Sequence, residues 1–117
     1  MSDIETSSIG TVVSLNAGAA APRVSFDRRE LQAILQLYGR MVAAGEWRDY
    51  AIDFLKGRAV FAIFRRASEM PLYRVEKNPD AKQGPYAVIN TAGLVLKRGH
   101  DLRRVLAVLE KPLKLVQ

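Results

Sequence analysis

From Glu46 to Arg66 the chain reads Glu-Trp-Arg-Asp-Tyr-Ala-Ile-Asp-Phe-Leu, then Lys-Gly, then Arg-Ala-Val-Phe-Ala-Ile-Phe-Arg-Arg. Two runs rich in aromatic and aliphatic residues around a glycine-containing turn are a β-hairpin signal. A loop of two residues (Lys56, Gly57) or four (Leu55 to Arg58) gives the same register. It sets Phe54 opposite Ala59, Ile52 opposite Phe61 and Tyr50 opposite Ile63. Side chains alternate along a strand, so these six form one apolar face. A slip of one residue would bring Asp49 and Asp53 into that layer. The other face carries Trp47, Asp49, Ala51, Asp53, Val60, Ala62, Phe64 and Arg66. The apolar face requires a lid; the mixed face is where a binding function is expected.

The lid is predicted just upstream, over Ser25 to Gly45. Asp27 and Glu30 have the spacing of a capping box, and Phe26 and Leu31 that of a hydrophobic staple. Leu31, Ile34, Leu35, Tyr38, Met41 and Val42 recur at helical spacing, opposite Arg29, Gln32, Gln36 and Arg40. Leu35 and Tyr38 are therefore expected between helix and sheet. Gly45 suits the position after a helix end. Gly39 inside the helix is expected to mark a close approach to the sheet.

Downstream, Pro71 to Lys77 alternates as a third strand, with Tyr73 opposite Ile63 and Val75 opposite Phe61. Leu72, Arg74 and Glu76 then join the mixed face. Asn78 to Pro85 is a loop by its Asn-Pro-Asp and Gly-Pro content. Tyr86 to Thr91 and Leu94 to Lys97 read as fourth and fifth strands. Gly99 to Glu110 reads as a second helix, stopped by Pro112. The expected fold is α+β: an antiparallel meander of four to five strands with an N-terminal and a C-terminal helix. Residues 1–23 are rich in Ser, Thr, Gly and Ala and are expected to be a disordered tail. Within them Gly10 to Leu15 has the composition of a brief strand. Residues 24–115 form one domain.

These residues also carry a resemblance. Val24-Ser-Phe-Asp-Arg-Arg-Glu-Leu, the long stretch from Leu37 to Asp53, Phe64-Arg-Arg-Ala-Ser-Glu-Met-Pro-Leu-Tyr-Arg-Val and Leu96-Lys-Arg-Gly together resemble the bacterial domain-of-unknown-function family numbered 2794. The resemblance covers about Val24 to Leu115. It implies a domain boundary and a bacterial cytoplasmic setting, and it carries over no activity, ligand or catalytic residue.

Composition bounds the chemistry. Lys and Arg number 18 against 12 Asp and Glu, and cysteine is absent. The basic excess suits acidic partners such as nucleic acid, or serves solubility alone. Without thiols there is neither a disulfide framework nor thiol chemistry. No apolar run approaches the ~18 residues of a membrane span, and the acidic N-terminus lacks a signal peptide's basic region. No membrane association is expected, and cytoplasm is the default.

Four groups of residues are candidates for function. Asp49 and Asp53 stand about 13 Å apart along a strand, beyond the ~9.5 Å limit of glycosidase carboxylate pairs; pairing of Asp49 with Arg66 is the plainer role. His100, the only histidine, is too little for a metal site, and Ser68 lacks a nucleophile elbow. Lys97, Arg98, Gly99 and His100 lead into the second helix as a candidate anion site. Trp47, Arg48, Arg65, Arg66, Tyr73 and Arg74 form a candidate binding face, with aromatics and arginines suited to single-stranded nucleic acid. No catalytic residue, metal site or cofactor is assigned. The chain reads first as a small non-catalytic binding or adaptor domain that engages a protein partner or a copy of itself. A single-stranded nucleic-acid module is the alternative, favoured by a continuously positive mixed face; an enzyme comes last.

Overall fold

A computed structural model describes residues 23–66 and 70–110. The elements run α1 (Arg28–Ala43), β1 (Asp49–Leu55), β2 (Arg58–Phe64), β3 (Tyr73–Lys77), β4 (Tyr86–Asn90), β5 (Val95–Gly99) and α2 (Leu102–Leu106), followed by a 3-10 turn, Ala107–Glu110. The strands form one antiparallel meander, β1-β2-β3-β4-β5. The fold is the expected α+β arrangement. The tail and Ser68 lie outside the described residues.

The hairpin register is the expected one: Phe54 faces Ala59, Ile52 faces Phe61 and Tyr50 faces Ile63. In the third strand Tyr73 faces Ile63 and Val75 faces Phe61. Strand ends differ from expectation by a residue or two. Pro71 has no amide hydrogen for the ladder, and β3 opens at Tyr73. β5 runs on to Gly99, with a register shift at Val88/Ile89. The second helix is shorter than the span from Gly99 to Glu110, because Asp101 caps it: its carboxylate accepts from the Arg103 and Arg104 amides.

Ile34, Leu37 and Met41 of α1 share a core with Ala59, Phe61, Ile63, Val75 and Val88 of the sheet and with Leu102, Val105, Leu106 and Leu109. The helix begins at the predicted cap. The Glu30 amide donates to Asp27, and the Asp27 amide donates to Glu30 Oε1 at 2.7 Å. Gly45, at φ +79°, follows its end.

The buried stripe of α1 is nevertheless turned from the expected one. Ala33, Ile34, Leu37 and Met41 are buried, whereas Leu35 and Val42 are 39% and 40% exposed. Leu35 is thus not a core residue. Apolar positions cover more than half the circumference of this helix, so spacing alone did not select the arc that meets the sheet. Gly39 is not a close approach either; a Cβ there would meet open space. The glycine that does permit close approach is Gly84, at φ +130°, where a Cβ would run into the Gly99 backbone.

Candidate functional site

The two faces of the sheet differ from the sequence expectation in an informative way. Trp47 is not on the mixed face. Its backbone turns with the end of α1, where its amide donates to Met41 O, and its ring is 3% exposed in the core. It lies 6.2 Å from the Tyr38 ring and 6.4 Å from that of Tyr73. A base has no access to stack on it. The hydrophobic demand of an indole outweighed strand alternation at a position just before the strand begins.

The six residues of the candidate binding face therefore divide. Trp47 and Tyr73 meet on the helix side, where both line a hollow of about 200 Å³ with Arg65. Arg48 borders Trp47 and Val42 in a neighbouring hollow. Arg66 is exposed. Arg74 is on the opposite face, 3.7 Å from Glu76, which Arg58 also approaches at 3.6 Å. Among the described residues no ion pair joins Asp49 to Arg66.

That opposite face is neither an apolar patch nor continuously positive. Val60 and Ala62, whose exposure would favour a protein contact on this face, are buried, as are Ala87 and Ile89. The register sets Arg74 between Ala62 and Ile89, and Glu76 between Val60 and Ala87. Arg98 lies beside Ala87. Long charged side chains shield such neighbours with their aliphatic stems while their heads stay in water. Asp49, Asp53 and Glu76 alternate with Arg58, Arg74 and Arg98 on this face, which breaks up any field that would draw a polyanion.

At the candidate anion site, Arg98 donates to Gly84 O at 3.2 Å, and Gly99 is the floor under Gly84. Lys97 and His100 are exposed. The amides of the following helix are those already capped by Asp101. A carboxylate thus stands where an anion would bind.

One polar cluster shows in the sequence only as a helix cap. Glu30 is buried. Its Oε1 accepts from Lys77 Nζ at 2.8 Å, and its Oε2 accepts a short hydrogen bond from the Tyr86 hydroxyl. Lys77 Nζ also donates to Ser25 O at 2.9 Å. Burial, then the hydrogen bond to Glu30, pushes the Tyr86 phenol well above its usual range. Lys77 and Tyr86 face each other across β3 and β4, on the side that also carries Val75. A lysine alternating with core residues was the available signal. Each Glu30 oxygen is satisfied within the protein, so the cluster ties α1 to the sheet and leaves no group for a ligand.

Among the described residues, one uncovered apolar surface is the flank where α1 meets β1. Leu31, Leu35, Tyr38 and Val42 follow one another along α1 at spacings of four, three and four, one side of the helix. Tyr38 meets Tyr50 of β1 edge-on at 5.0 Å, and Tyr50 stacks on Phe61 at 4.8 Å. Tyr50 and Phe54 remain 45% and 41% exposed. Leu31 and Leu35 line a shallow hollow of about 580 Å³ with Arg28, Gln32 and Gln36. Beside this surface, among the described residues, β1 is an edge strand with β2 on one side only. A flank of exposed aliphatic and aromatic groups next to an unpaired strand edge is suited to receiving a polypeptide.

Among the described residues no three His, Asp or Glu side chains gather as metal ligands, and no helix is long and apolar enough to cross a membrane. No curated protein and no solved structure matches the chain. A family model does: it is described as "Protein of unknown function (DUF2794)" and matches residues 24–106, ending with α2, short of the expected Leu115. Over that span, which takes in α1, the five described strands and α2, the chain belongs to the DUF2794 family of proteins of unknown function.

Proposed function

We propose that this is a small non-catalytic binding domain that works by protein contact at the α1–β1 flank. The single observation that carries the reading is the exposure of Tyr50 and Phe54 on the face that is otherwise the core side of the sheet. A strand with its backbone edge open offers a partner main-chain hydrogen bonds, and the neighbouring apolar side chains supply specificity. The interleaved charges of the opposite face favour this over the nucleic-acid reading.

The test is differential co-purification from native cells after nuclease treatment. Wild type and an Arg74→Ala/Arg98→Ala variant are expected to retain the same polypeptide. A Leu35→Asp/Phe54→Asp variant, which melts with wild-type cooperativity, is expected to lose it. Retention that nuclease erases and that depends on the two arginines would overturn the reading in favour of nucleic acid.

A further inference from the structure

The backbone leading into α1 is already attached to the open edge of β1. The Val24 amide donates to Leu55 O at 3.0 Å, and Arg23 Nη1 donates to Phe54 O at 3.1 Å. The chain upstream of Arg23 therefore starts from the end of this edge. We propose that residues Thr11 to Leu15 occupy the α1–β1 flank, pairing along β1 as a parallel strand, so that the chain's own N-terminal segment is the ligand of its docking surface.

Four features converge on this occupant. The segment reads Thr-Val-Val-Ser-Leu, which sets Thr11, Val13 and Leu15 on one face. Val13 and Leu15 would then face the apolar flank made by Leu31, Leu35, Tyr50 and Phe54. The residues between Leu15 and Val24 reach roughly 30 Å when extended, more than the ~23 Å length of β1. A parallel neighbour of β1 joined to it through α1 is the ordinary strand–helix–strand connection. The covalent tether also gives the segment an effective concentration in the millimolar range for a short flexible linker. The inference rests on the protein-binding reading of the flank and makes that surface self-occupied: an external partner binds by displacing the segment.

Hydrogen exchange on the full chain tests this. The β1 amides that are not bonded to β2 are expected to be protected in wild type, independently of protein concentration. Val13→Asp/Leu15→Asp should speed their exchange at least tenfold while leaving the amides of β3 and β4 unchanged. The β3 and β4 amides report directly that the fold persists. Fast exchange in wild type, or protection indifferent to the two substitutions, overturns the inference. Protection that rises with protein concentration also overturns it, by assigning the edge to a second copy, yet leaves the protein-binding reading standing.

Discussion

Phe61 and Phe54 lie on the same face of the same hairpin, one in an inner strand and one at the edge. Phe61 is 0% exposed and Phe54 is 41% exposed. The same contrast holds across α1, where Leu37 is buried and Leu35 is not. Chemistry does not separate the members of either pair; position relative to the lid does. On the flank toward β3 and β4, α1 is tied down by Glu30, Lys77 and Tyr86 and packs with α2. On the flank toward β1 among the described residues, the apolar arc of the helix and the apolar face of the strand both run on past the cover. Apolar surface that one core does not need is what an interface uses.

The contrast is broken or upheld first by paired truncations. Phe61→Ala is expected to cost about 3–5 kcal/mol and Leu37→Ala about 2–5 kcal/mol, as large-to-small changes inside a packed core. Leu35→Ala and Phe54→Ala should each cost clearly less, about 1 kcal/mol, since their surroundings collapse or are already wet. Urea denaturation of the four variants measures this directly. Equal costs within a pair would mean that the β1 flank is covered as fully as the centre.

A smaller effect sharpens the opposite flank. The Tyr86 phenol titrates above its ordinary range in the fold because it is buried and donates to Glu30. The folded state thus keeps this proton at a pH where the unfolded chain has released it. The contribution of Tyr86 is complete below about pH 10, the unfolded phenol value, and is lost as the pH rises from there toward the folded value. Tyr86→Phe should lower stability at neutral pH and flatten its decline above about pH 10. Identical alkaline melting profiles for wild type and variant would show that the tie between Tyr86 and Glu30 does not form.

Much of this architecture is legible in the residues themselves. The capping box at Asp27 and Glu30, the hairpin register and the third-strand pairing all follow from local rules of spacing and alternation, and each is found in the fold. What alternation does not reach is the choice of partner across layers. Trp47 precedes the strand, so its burial under Tyr38 depended on how the chain turns after α1. Leu35 and Leu37 are equally apolar, and only the docked helix distinguishes them. The Glu30–Lys77–Tyr86 cluster joins residues 47 and 56 positions apart, a link that no local pattern encodes. The arginine and aromatic residues read as one surface because they cluster in sequence near strand ends, but alternate strand positions send Tyr73 and Arg74 to opposite sides.

The most direct test uses that alternation. A photo-crosslinking residue placed at Phe54 reports on the α1–β1 flank, while one placed at the adjacent Asp53 reports on the opposite face of the same strand. In the full chain within native cells, the probe at Phe54 should form adducts with polypeptide, whether its own N-terminal segment or an exchanging partner. The probe at Asp53 should form none. Adducts at Asp53 with none at Phe54, or adducts with nucleic acid at either position, would contradict the assignment of binding to this flank.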